Sequence, residues 1–216
     1  MKMKKVILIG DSIRMSYDKY VKEALANVAE VYYPDENCRF AEYVLRYAHE
    51  WKEKGGWPED ADLVHWNAGL WDVLELFEDG PLTSLAYYTE AIARINKRLR
   101  LLFPKAKFVF ATSTPVIEHL CRKDFARHNS IICEYNKAAL KALEGSGTVI
   151  NDLYSTLYGC PEEYYTDFVH PRTKEGIALA GNKVLSVICG ELDIAAADIN
   201  IENFTPEDYS KDNIGY

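Results

Sequence analysis

Short apolar runs alternate with longer amphipathic stretches along this chain, and no two strand-like runs follow one another without a helical stretch between them. That alternation constrains the fold more than any other feature. Consecutive strands separated by helices must pair in parallel, with helices covering both faces of the sheet. The first run, residues 5–9, is uninterrupted KVILI, as expected of a strand buried on both sides. Further strands are expected at 30–33, 62–66, 107–111 and 148–150. Helices are expected at about 15–28, 39–54, 83–103, 124–143 and 173–189. Pro104, Gly145 and Gly190 mark the ends of the last three. The expectation is an α/β domain with a five-stranded parallel sheet over residues 1–190. Residues 191–216 form an acidic C-terminal extension; Ile194, Ile199, Ile201, Phe204 and Tyr209 favour its packing over the body.

Composition narrows the partners. Hydrophobic residues make up 48% of the 216, which suits one packed core, and the net charge is -8. An acidic chain is a poor match for nucleic acid or an anionic membrane surface, both of which reward basic patches. The apolar run after MKMKK is far shorter than the ~20 residues a membrane span needs, so the chain is read as cytoplasmic. Cys38, Cys121, Cys133, Cys160 and Cys189 are scattered without a CxxC pair, and are read as reduced, mostly buried thiols.

Ligands of open parallel sheets bind beyond the carboxyl ends of the strands. After the first strand comes Gly10-Asp11-Ser12. A serine there stands at a helix N-terminus, exposed and surrounded by unpaired backbone N–H groups, as a nucleophile requires. Alone, the tripeptide reads first as a helix cap. After the last strand comes Asp167-Phe168-Val169-His170-Pro171, where the carboxylate can orient the imidazole toward a nucleophile. The third strand runs into Asn67-Ala68-Gly69-Leu70-Trp71-Asp72, which offers Asn67 as a side-chain donor to an oxyanion. The second strand leads to Asn37, Cys38 and Arg39, and the fourth to Thr112-Ser113-Thr114-Pro115. Cys38 could add a backbone N–H, Arg39 could bind an anionic group, and Thr114 could line a cleft. Arg127, His128 and Asn129 could touch substrate but are read as a surface cluster at a helix start.

These blocks resemble the SGNH hydrolases, also called the GDSL esterase/lipase family. The resemblance is carried by Val6-Ile7-Leu8-Ile9-Gly10-Asp11-Ser12 at the N-terminus, and by Asp167-Phe168-Val169-His170-Pro171 followed by Lys174-Glu175-Gly176 and a helix. It covers residues 4–190 and leaves the extension outside. It implies a flavodoxin-like three-layer sandwich and ester hydrolysis through an acyl-serine. Ser12, Asp167 and His170 would be catalytic, with no metal or organic cofactor. The oxyanion donors would be the Ser12 N–H, a second-block glycine N–H and a third-block asparagine side chain. Two positions depart from that pattern. Cys38 stands in place of the glycine, though its N–H survives the change. Aligned on Gly69 and Asp72, the asparagine position holds Trp71, and Asn67 is taken as the substitute donor. Trp71 could donate only through its indole N–H, and it could also contact substrate.

The expected substrate is a small-molecule ester with a short acyl group, acetyl-like, on a polar alcohol such as a carbohydrate. Asn37, Arg39, Asn67, Thr112, Ser113 and Thr114 suit a hydroxyl-rich partner, and Trp66 and Trp71 could stack on a sugar face. Two alternatives use the same residues. One is a binding domain that kept the fold and lost an efficient oxyanion hole. The other is an acyltransferase with a sugar or alcohol in place of water.

Overall fold

The computed structural model describes residues 2–206. Its strands are β1 (Lys4–Ile9), β2 (Ala29–Tyr32), β3 (Leu63–Trp66), β4 (Lys107–Ala111) and β5 (Val149–Asn151). Its helices are α1 (Ser12–Leu25), α2 (Ala41–Lys54), α3 (Leu85–Leu102), α4 (Asn129–Leu143), α5 (Leu153–Leu157) and α6 (Lys174–Leu192). The strands form one all-parallel sheet in the order β2-β1-β3-β4-β5. That is the flavodoxin-like order. α1 packs on α6, and α2, α3 and α4 pack in a row. Right-handed crossovers put these two groups on opposite faces, giving three layers.

The strands are apolar because they are covered on both sides: Val6, Ile7, Leu8 and Ile9 are all fully buried. Each such side chain contributes about 1.5–3 kcal/mol by leaving water. Strand order reverses direction at β1, whose neighbours are β2 and β3. A crevice opens at such a switch point, beyond the carboxyl ends of β1 and β3. The turns after these two strands carry Ser12 and Asn67.

Several element ends differ from the sequence expectation, each for a local reason. α1 begins at Ser12 because Asp11 caps it, accepting the Ile13 N–H at 3.0 Å. α4 begins at Asn129 and not at 124, because Ala126 is held in an antiparallel bridge to Glu75. α6 runs through Gly190 to Leu192 and stops at Asp193, which adopts a left-handed conformation with φ 52°. The five-residue α5 is too short to show a helical period. Trp66 is fully buried against Phe110, with ring centroids 4.8 Å apart, so it belongs to the core and cannot stack on a ligand.

Beyond α6 the chain runs back along α1. Ala197 N–H donates to Ala24 O at 2.8 Å, and Phe204 is buried edge-on against Tyr20. Ile194, Ile199 and Ile201 pack on the same core from half-buried positions. Tyr209 lies outside the described residues. All five cysteines are unpaired; only Cys38 is fully buried, and the other four are half-buried. Among the described residues, no helix is long and apolar enough to cross a membrane.

Candidate active site

The sharp turn from β1 into α1 depends on Gly10. A Cβ there would lie 1.9 Å from Asn67 Oδ1, so only glycine lets the β3 segment close over the turn. Asn67 Nδ2 donates to Asp11 Oδ1 at 3.0 Å, the same oxygen that caps α1. Burial pushes the Asp11 carboxyl above its usual range, opposed by Asn67, by the Ile13 N–H and by the charges of His170 and Arg127. Arg14, buried one turn into α1, pairs with Asp18 at 2.6 Å and donates to Glu36 O at 2.5 Å. It thereby ties the serine turn to the loop after β2.

On this base Ser12 Oγ lies 2.8 Å from His170 Nε2, across 158 residues of sequence. His170 Nδ1 lies 2.6 Å from Asp167 Oδ2. Burial alone would raise the Asp167 carboxyl. The hydrogen bond and charge of His170, with the Val169 and His170 N–H groups, outweigh it and hold the carboxyl at about 2. An ionised carboxylate only accepts, so the proton between this pair sits on Nδ1 and Nε2 is left to accept from Ser12. The loop is fixed from several sides. Thr166 N–H and Arg172 N–H both donate to His170 O at 2.9 Å, and Ile117 N–H donates to Phe168 O at 2.8 Å. Arg172 Nε also reaches Ser16 Oγ at 3.2 Å, joining the histidine loop to α1.

These three residues open into a cavity of about 80 Å³, lined also by Asn37, Trp71, Phe125, Arg127, Phe168 and Val169. Ser12 and His170 are only 5% and 6% exposed, so attack must occur within this recess.

The remaining sequence candidates are distributed differently. Trp71 lines the cavity and is half-buried. Cys38 N–H already donates to Gly10 O at 3.2 Å, and the side chain is fully buried, which removes it from the expected oxyanion hole. Asn67 is buried behind the serine turn, on Asp11, and is not part of the cavity wall. Arg39, at a left-handed φ of 49°, stacks over the Tyr43 ring at 5.0 Å and stays outside the cavity. Thr112, Ser113 and Thr114 are buried: Asp152 accepts from Thr112 Oγ1, and Asn136 accepts the Ser113 N–H at 2.8 Å. Of the six polar residues expected at the cleft, Asn37 alone lines the cavity, and Trp71, Phe125 and Phe168 supply its aromatic wall.

Arg127 was expected at the surface and is instead 4% exposed in the cavity wall. His128 and Asn129 do lie outside it: Asn129 holds the Val116 backbone, and His128 Nδ1 lies 3.8 Å from Glu118. Asp72 accepts the Ala41 N–H at 3.0 Å and so caps α2 from another loop, since the cap residue Phe40 has no acceptor. Gly69 allows this segment to pass β4, because a Cβ at its φ of 147° would lie 2.2 Å from Ser113 Oγ.

The architecture matches solved structures over 85–88% of the chain. The chain has the fold of the GDSL-like lipases and acylhydrolases. The lipase/acylhydrolase from Enterococcus faecalis superposes with a TM-score of 0.67 at 21% identity, covering 87% of this chain and 96% of that one. A GDSL-like lipase from Bacteroides thetaiotaomicron gives 0.63 at 19% identity, covering 86% and 87%. An acetyl xylan esterase gives 0.64 at 18% identity, covering 85% and 99%. No family model matches the chain, and no curated protein does. In the GDSL-like fold found here, the β1–α1 turn and the loop before α6 meet at the cavity, joined by the loops after β2 and β3 and the loop before α4.

Proposed function

We propose that this protein is a serine ester hydrolase that cleaves short acyl esters, acetyl-like, through an acyl-serine intermediate. The observation that carries the proposal is the line from Asp167 through His170 to Ser12, with 2.6 Å and 2.8 Å spacings, at the end of a cavity. Ser12 Oγ attacks the ester carbonyl carbon and passes its proton to His170 Nε2. The carbonyl π pair moves onto oxygen, where the Ser12 N–H at the start of α1 meets it. Asp167 holds the imidazole tautomer and stabilises the imidazolium. Collapse expels the alcohol, which takes the proton from His170. Water then repeats the sequence and releases the acid.

The small cavity supports a short acyl group, since a long chain needs an extended apolar groove. The fold is shared with an acetyl xylan esterase, and half-buried Trp71 at the cavity suits the face of a carbohydrate alcohol. An acylated carbohydrate is the substrate class we favour. Residues 1–190 are the hydrolase domain of this proposal.

Hydrolysis of p-nitrophenyl acetate tests it. Ser12→Ala should lower kcat by on the order of 10³-fold or more, because the three side chains act as a unit. Esterase activity unchanged in that variant would move the site elsewhere.

A further inference from the structure

Acyl transfer to Ser12 builds negative charge on the carbonyl oxygen, and one backbone N–H is a thin provision for it. The groups expected to add a second donor are engaged elsewhere. Asn67 serves Asp11, and the Cys38 N–H serves Gly10 O. Trp71 occupies the third-block asparagine position and has only an indole N–H.

Arg127 lines the same cavity as Ser12 and His170. It is held there by a built arrangement. Its Nε donates to Leu70 O at 2.6 Å, so the guanidinium is anchored on the backbone of the third block, one residue before Trp71. Its Cζ lies 5.5 Å from the Phe125 ring centroid. The paired N–H···O bonds between Ala126 and Glu75, both 2.9 Å, fix the preceding residue against the loop after β3. A guanidinium presents five N–H donors in one rigid plane and keeps its charge at any working pH. In a recess this closed, a fixed positive donor is worth far more than in water.

We propose that Arg127 is the second oxyanion donor, supplying from the loop before α4 what the third block lacks. The proposal rests on the esterase reading of Ser12. As the Ser12 Oγ–C bond forms, the π electrons of the carbonyl become a lone pair on oxygen, and Arg127 and the Ser12 N–H share that charge. No proton moves to or from Arg127 in the step. The charge of Arg127 already reaches the Asp11 carboxyl, next to Ser12.

The test compares wild type, Arg127→Lys, Arg127→Gln and Arg127→Ala on p-nitrophenyl acetate, a neutral ester with no anionic group for an arginine to bind. Folding is checked by thermal melting. Arg127→Gln should lose on the order of 10²–10³-fold in kcat with KM within about twofold. Arg127→Lys keeps the charge without the planar fork and guards against a misfolded glutamine variant; it should lose at least about tenfold in kcat. Sub-denaturing guanidinium should restore part of the activity of Arg127→Ala, which a purely structural arginine would not allow. A folded Arg127→Gln with kcat within about threefold of wild type overturns the proposal and leaves the esterase reading intact. So does a loss confined to KM, which would make Arg127 a substrate-binding group. A wild-type protein that does not hydrolyse the ester overturns the esterase reading and this proposal together.

Discussion

Asn67 Nδ2 donates to Asp11 Oδ1 at 3.0 Å, directly behind the nucleophile candidate Ser12. The same carboxylate oxygen caps α1, and the Asn67 carbonyl packs where a Cβ on Gly10 would lie. Asn67 therefore braces the turn that presents Ser12. Asn67→Ala should lower stability by about 1–3 kcal/mol, the cost of removing one of the two donors that a buried carboxylate oxygen accepts. It should reduce kcat less than Arg127→Gln does. Thermal melts and steady-state kinetics on the two variants check this. An unchanged melting temperature with a 10²-fold or larger loss of kcat would return Asn67 to the oxyanion hole.

Asp72 should make stability depend on pH. Burial pushes its carboxyl up to about 7, against the opposing Ala41 and Thr83 hydrogen bonds. An unfolded Asp titrates near about 3.9. Between those values the native state keeps a proton that the unfolded state releases, so this group's contribution is full below about pH 4 and is lost as pH rises to about 7. Asp167 has the opposite sign: its carboxyl is held at about 2, so its contribution is present above about pH 4 and is lost on further acidification. Asp72→Asn keeps an acceptor for the Ala41 N–H and removes the titration. Its melting temperature should fall less than that of wild type between about pH 5 and about pH 7.5. Parallel curves for the two proteins would contradict the assignment.

Much of this was legible in the sequence, for physical reasons that also set its limits. A strand buried on both faces reads as a continuous apolar run, so Val6–Ile9 and the sheet were visible. Ser12, Asp167 and His170 each sit in a short local motif after a strand. What could not be read is which partner each polar group finds across the chain. The Cys38 N–H meets Gly10 O only because the loop after β2 folds back on β1. Thr112–Thr114 look like cleft residues, yet all three are buried, with Thr112 Oγ1 donating to Asp152 and the Ser113 backbone bonded to Asn136. Arg127 looks like surface because Lys123, Asp124 and His128 surround it in sequence. Its burial follows from the Ala126–Glu75 bridge, which no local pattern announces.

The rate should show one acidic limb. His170 Nε2 must be neutral to take the serine proton, so kcat/KM should fall on acidification. Asp167, held at about 2, should add no second limb above about pH 4. A kcat/KM profile of Asp72→Asn from about pH 4 to about pH 9, with the Asp72 titration removed, checks this, and a two-proton acidic slope there would mean that Asp167 is not the fixed carboxylate described here.

Acyl length should matter strongly. The cavity beside Ser12 is about 80 Å³. kcat/KM should fall from p-nitrophenyl acetate through the octanoate to the palmitate. A higher value on palmitate would require an apolar channel that the walls formed by Trp71, Phe125 and Phe168 do not provide.

The central claim is that Ser12 is a nucleophile activated by His170. Treating the protein with a fluorophosphonate, followed by intact-mass measurement and peptide mapping, tests it most directly. One adduct per chain on Ser12, with labelling slowed on the order of 10³-fold or more in His170→Ala, is the predicted result. An unlabelled wild-type protein, or an adduct on another residue, would contradict it.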